Sequence, residues 1–162
     1  MQDMNRPEML THPNYTCRLT SWQQDKDKLQ CVRYAVFVEE QQIPADLEWD
    51  EKDKDAIHVI AVNDSDQPVA TGRLLADGQI GRMAVLAEWR GKGVGRSILN
   101  LLLAAAHQRG VRIIKLSSQQ TACGFYLKQG FIQTGDPYQE AERQHVAMHL
   151  QLGDNHAQQT VS

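Results

Sequence analysis

Seven residues, Arg90-Gly91-Lys92-Gly93-Val94-Gly95-Arg96, constrain the fold of this chain more than any other part of it. They follow an apolar run, Ile80 to Leu86, that reads as a strand. They open a segment, Val94 to Arg109, whose Ile98, Leu99, Leu101, Leu102, Leu103 and Ala105 mark a long helix closed by Gly110. Glycines at alternate positions let successive backbone N–H groups converge on one anion. The start of the helix adds its positive dipole end, and Arg90, Lys92 and Arg96 add formal charge. A pyrophosphate suits such a loop. The plain alternative is a tight strand-to-helix turn whose basic side chains are solvated. The run is not a Walker A loop, because no Gly-Lys pair is followed by Ser or Thr with a Gly five positions before the Lys. Nor does it have the GxGxxG spacing of a dinucleotide fold, and it comes after three strands rather than one.

The rest of the chain supplies strands and helices in mixed order. Tyr15 to Thr20 alternates like a strand, and Lys28 to Glu39 places Leu29, Val32, Val36 and Phe37 near helical spacing. Ile57 to Val62 and Val69 to Ala76 are apolar runs parted by Asp64-Ser65-Asp66-Gln67-Pro68, the pattern of a hairpin. After the long helix come a strand at Val111 to Leu116, a short helix near Ala122 to Lys128, and two strands at Phe131 to Thr134 and Gln144 to Leu152. Residues 1–13 and 153–162 lack periodicity and are expected to fray, leaving one domain over 14–152.

At 162 residues the chain can bury one ordinary core. A net charge of -3 provides no broad basic field, which argues against nucleic acid as the main partner. Cys17, Cys31 and Cys123 are odd in number and far apart, so neither a disulfide framework nor a zinc cluster is expected. With no apolar stretch near the ~20 residues of a membrane span, and no secretory pattern at the N-terminus, the expected setting is the cytoplasm, away from membranes. His145 and His149 are four apart, but in a strand that spacing does not chelate, so no metal is expected.

At this point a family comes into view. Arg90 to Gly95 resembles the R/Q-x-x-G-x-G/A motif of the GNAT N-acetyltransferases, and Phe125-Tyr126-Leu127-Lys128-Gln129-Gly130-Phe131 is similar to the FYxxxGF segment of the same superfamily. A narrower similarity, to the ElaA-like and YjcF-like branch, runs through Val36 to Gln41, Glu48, Asp50, Asp55, His58, Ser118-Gln119, His145 and Met148. Ser118 stands where an alanine is usual, and Ala87-Glu88 where a proline often precedes the glycine loop.

The resemblance implies an α+β fold in α/β/α layers: a mixed, mostly antiparallel sheet of about seven strands with helices on both faces, splayed between its fourth and fifth strands. It implies acetyl-CoA as acyl donor, with backbone at Met83, Ala84 and Val85 along the pantetheine arm. Residues Arg90, Gly91, Lys92, Gly93, Val94, Gly95 and Arg96 would hold the pyrophosphate, and Gln119 would lie beside the donor. Similar proteins are often homodimers.

Acyl transfer from a thioester to an amine requires a neutral nucleophile, stabilisation of the developing oxyanion, and a proton for the departing thiolate. The family counterpart of Tyr126 lies beside the thioester, which makes this phenol the candidate acid; Phe125 and Phe131 read as core. For the base, Glu40 and His145 are both candidates, and the sequence does not choose. The stretch Asp46 to Asp55 holds six acidic residues against Lys52 and Lys54. Such a run is ordinarily a solvated loop; in the sharper reading, Glu48 and Asp50 draw a cationic amine, small molecule or peptide, to the cleft. Two rival readings share the glycine loop: a non-catalytic acyl-CoA sensor, and a nucleotide-binding protein.

Overall fold

Two sheets that share almost no hydrogen bonds frame the molecule. The computed structural model describes residues 9–48, 50–140 and 142–153, and the side chains of all of these except Leu47 and Glu48. Strands β1 (Met9–Thr11), β2 (Tyr15–Thr20), β3 (Ile57–Asn63), β4 (Pro68–Leu74) and β5 (Ile80–Val85) pair antiparallel in chain order. Strands β6 (Ile113–Gln119), β7 (Ile132–Gln133), β8 (Tyr138–Glu140) and β9 (Arg143–Gln151) form the second sheet, in which β9 pairs with each of the others. Between β5 and β6 the described residues make one isolated parallel bridge, Gln79 to Lys115, with the Lys115 amide 3.0 Å from the Gly78 carbonyl. Beyond that bridge no ladder joins the two strands, and a cleft lies between them.

Helices cover both faces of the first sheet, and the alternation of β3 shows how. Val59 and Ala61 join the core formed with α3 (Val94–Gln108), whereas Ile60 and Val62 pack with Leu29 of α1 (Trp22–Arg33). Helix α3 is apolar around most of its circumference, with Ile98, Leu99, Leu101 and Leu102 all fully buried. Each such side chain contributes about 1.5–3 kcal/mol by leaving water. Its close seat on β4 depends on Gly72: a Cβ there would lie 2.7 Å from Ile98 Cγ2 and 2.9 Å from both Leu102 Cδ1 and Met83 Sδ.

The α+β layering and the splayed sheet agree with expectation. Among the described residues nine strands stand where about seven were expected, because β1 and β8 carry no periodic signal of their own. Three of the residues expected to fray, Met9–Thr11, instead extend the first sheet, so the splay falls between the fifth and sixth strands. The first helix begins at Trp22 rather than near Lys28. Ser21 caps it, its hydroxyl accepting the Gln24 amide at 3.2 Å. It then widens into a π-helical turn, Tyr34–Glu40, in which the Gln41 amide bonds back to the Val36 carbonyl. A short α2 (Ala45–Glu48), a 3-10 turn at Glu51–Asp55 and the six-residue α4 (Cys123–Lys128) complete the fold.

Candidate active site

The cleft between the sheets has a volume of about 510 Å³. Gly81, Arg82 and Met83 of β5 line one side and Leu116 to Gln119 of β6 the other, with Phe37, Gln41, Tyr126, Glu140 and His145 closing around them. The β6-facing edge of β5 has no ladder partner past the bridge at Gln79. Met83 lines the cleft, and along Met83, Ala84 and Val85 this edge has no partner strand, as suits a strand that receives an extended amide-bearing arm, although the Val85 carbonyl accepts Arg90.

At the end of β5 a single 3-10 turn, Ala87–Trp89, leads into the glycine loop. Gly91 and Gly93 adopt φ of 75° and 85°, left-handed conformations that disfavour any side chain. Gly93 is also the residue that caps α3, and it offers no side-chain acceptor to the first amides of that helix. The first amides of α3 are thus left without a side-chain cap, with exposed Lys92 before them and exposed Arg96 within the first turn, an arrangement suited to an anion. Behind the loop, the Tyr15 hydroxyl meets the buried Ser97 hydroxyl at 3.1 Å and ties the first turn of α3 to β2. Lys92 lies over the Trp89 ring, 5.9 Å from its centroid.

Arg90 has a different place from its neighbours. Its Nε donates to the Val85 carbonyl at 2.9 Å, and its two Nη atoms donate to the carboxylate of Glu40 at 2.7 and 2.6 Å. All three nitrogens are thereby engaged in bracing the loop against the π turn. The same pair changes the standing of Glu40, one of the two residues expected to act as base. The Arg90 guanidinium holds its carboxyl below the usual carboxylate range, and it is absent from the lining of the cleft. A carboxylate so stabilised is a poor proton acceptor.

His145, the other candidate base, does reach the cleft and is 8% exposed. Its Nδ1 donates to the Arg143 carbonyl at 3.0 Å, so Nε2 is the ring nitrogen not engaged by that contact. Tyr138 stacks on the ring at 6.0 Å and hydrogen-bonds Ser117. Tyr126 projects from α4 into the same cleft between Phe125 and Phe131. Burial pushes the Tyr126 phenol well above its ordinary pKa, so it keeps its proton at working pH. Gln119 lies at the cleft with its Nε2 2.7 Å from Oε1 of Gln41, bridging β6 to the end of the π turn.

The acidic stretch is not simply a solvated loop. Asp53 is 1% exposed; it accepts Arg33 at 2.9 and 3.1 Å and Arg73 at 3.1 Å. Burial alone would raise its pKa, but the two guanidinium groups outweigh that and hold it low. His58, fully buried, donates Nε2–H to the Asp53 carbonyl at 2.9 Å, and burial lowers its pKa. Asp50 does not stand ready for a cationic amine: Oδ1 accepts Arg73 at 2.9 Å and the Lys52 amide at 3.0 Å, and Oδ2 accepts Arg82 at 3.1 Å. The Glu48 side chain lies outside the described residues. The cleft residues not among those expected include Gln41, Arg73, Arg82 and Glu140. For the two arginines a signal existed, since each is a lone charge inside an apolar strand.

A splayed sheet, a strand edge without a partner and a glycine loop at the next helix start make up an architecture suited to an extended, anion-bearing ligand. The chain belongs to the GNAT acetyltransferase family, whose domain, described as "Acetyltransferase (GNAT) domain", it matches over residues 23–152. Among relatives, the YjcF protein of Bacillus subtilis, named an uncharacterized N-acetyltransferase, is 39% identical over 103 residues, covering 62% of this chain and 73% of that one. A crystal structure from Lactobacillus plantarum described as an N-acetyltransferase superposes with a TM-score of 0.77 at 34% identity, over 85% of this chain and 98% of the other. Escherichia coli ElaA superposes with a TM-score of 0.73 at 27% identity, over 82% and 97%. The protein is thus an acyl-CoA-dependent acyltransferase.

Proposed function

We propose that the protein transfers an acetyl group from acetyl-CoA to an amine by direct attack, with Tyr126 protonating the leaving sulfur and His145 accepting the proton of the amine. The observation that carries this reading is the shared position of Tyr126 and His145 in one cleft, with a buried phenol and an imidazole whose Nε2 is not engaged by the Arg143 contact. A new N–C bond forms as the C–S bond breaks. One proton leaves the amine for His145, and one passes from Tyr126 to sulfur. The glycine loop, through the amides of Gly91 to Arg96 with Lys92 and Arg96 beside them, holds the pyrophosphate. The open edge at Met83 to Val85 receives the pantetheine amides, and Gln119 stands beside the acyl group. Glu40 is assigned to bracing Arg90 rather than to proton transfer.

The test is release of free thiol from acetyl-CoA against a library of amines. Wild-type protein turns over with at least one amine. Tyr126→Phe lowers kcat by about 10²-fold or more while the KM for acetyl-CoA stays within a few-fold. An unchanged kcat in that variant removes Tyr126 from the mechanism. Thermal stabilisation by acetyl-CoA with no turnover of any amine would replace the enzyme reading by that of an acyl-CoA sensor.

A further inference from the structure

Resting on the acyltransfer reading, we propose that the acceptor amine also carries a carboxylate, received on the β4–β5 wall of the cleft by Arg73 and Arg82. Both arginines line the cleft. Arg73 is 5% exposed, and its Nη1 alone makes the contacts to Asp50 and Asp53. Its buried Nε has no hydrogen-bond partner among the described residues. Because that nitrogen has no accessible surface, a ligand in the cleft would meet this guanidinium at Nη2, which neither of those contacts uses.

Arg82 provides a second, independent observation. It has a φ of 51°, a left-handed conformation in the middle of a strand, where the register of the β4–β5 ladder shifts. Such backbone is disfavoured for a long side chain and persists where the surroundings require it. Here it accompanies a guanidinium placed 3.1 Å from Asp50 Oδ2, so that one carboxylate holds both arginines, each by a different oxygen. With both its oxygens occupied, Asp50 fixes the two cations side by side rather than receiving an ammonium. Two adjacent guanidinium groups match the planar fork of a carboxylate. The second sheet contributes a carboxylate to the same cleft, Glu140 of β8, and the imidazole of His145 on β9, while Arg143, the register partner of Glu140, donates to the Gln41 carbonyl. Cations on one wall and a carboxylate with a proton acceptor on the other complement an acceptor of amino-acid type, its anionic end toward Arg73 and Arg82 and its amine toward His145.

Matched pairs of L-amino acids and their primary amides, each assayed with acetyl-CoA for thiol release, test this. The amine of an amide loses its proton more readily, so the comparison is biased against the proposal. The expected result is a kcat/KM at least about tenfold higher for the acid in the pair that is used best. In Arg82→Gln the acid-to-amide ratio should fall toward one, while the KM for acetyl-CoA is unmoved. Amides used as well as or better than the acids overturn the carboxylate, and leave acyltransfer standing. A second arm does not depend on turnover: calorimetry of N-acetyl amino acids and N-acetyl amino acid amides with the CoA-bound protein. Tighter binding of the acids there supports the carboxylate site even if thiol release fails. Equal binding overturns it.

Discussion

The proposed donor and acceptor parts of the site are made of different materials. On the donor side the work falls to backbone: left-handed glycines, the uncapped start of α3, and an unpaired strand edge at Met83 to Val85. On the acceptor side it falls to side chains held by partners far away in sequence, such as Arg73 with Asp50 and Asp53, Gln41 with Gln119, and Arg143 with the Gln41 carbonyl. A backbone site is specified by a few consecutive residues. A side-chain site exists only once distant segments have come together, so it can be altered without touching the donor seat.

The largest break in this contrast comes from the acceptor side. Asp53→Asn leaves Arg33 and Arg73 buried without their shared counter-ion, and should cost about 3–5 kcal/mol. For a domain of this size that lowers Tm by about 6–20 °C, which calorimetry would read directly. A loss below about 1 kcal/mol would show that the arginines relax to solvent.

Two glycine variants sharpen the donor side. Gly93→Ala meets open space, with the Tyr15 hydroxyl 3.9 Å from the new Cβ, but must hold a φ of 85°. The strain, about 1–2 kcal/mol, should raise the KM for acetyl-CoA about tenfold. Gly95→Ala would touch Val85 and Phe125 at ordinary contact distances of 3.7 and 3.8 Å, and has no such φ to hold. Its KM should change less than about twofold. Equal effects from the two variants would mean that space rather than conformation governs the loop.

Glu40→Gln separates bracing from catalysis. The pair with Arg90 is 43% exposed on both sides, so stability should fall by no more than about 1 kcal/mol. If Glu40 only braces Arg90, kcat at saturating acetyl-CoA stays within about twofold. A fall of about 10²-fold would return Glu40 to the mechanism as base.

The smallest effect is a pH dependence from His58. Its pKa in the folded chain lies below the ordinary histidine value, so the unfolded chain takes up a proton first. The stability it contributes is complete above about pH 6.5 and is lost as pH falls below that. Asp53, held low, adds a further loss only below about pH 4. Tm measured from pH 7.5 to 5.5 should therefore decline, and decline less in His58→Gln. Parallel slopes would exclude the histidine.

What was legible in the sequence follows the same division. The glycine loop, α3 and the strands around them could be read because each depends on local periodicity and on which residues tolerate φ above zero. The acceptor part could not be read in this way. Glu40 and Asp50 looked like available carboxylates because their partners, Arg90 and the pair Arg73 and Arg82, lie between 23 and 50 residues away. Asp53 looked solvated because six acidic residues in ten positions ordinarily are. Glu140 sits on a three-residue strand, too short to show alternation, yet pairing with β9 brings it to the cleft.

The division of labour between the two parts is tested most directly by amide chemical shifts of the ¹⁵N-labelled protein on addition of acetyl-CoA alone. The largest shifts should fall on Gly91 to Ser97 and on Met83 to Val85, with the amides of β8 and the Glu51–Asp55 turn little changed. Shifts concentrated in β8 and that turn, with the glycine loop silent, would contradict a donor seat built from backbone.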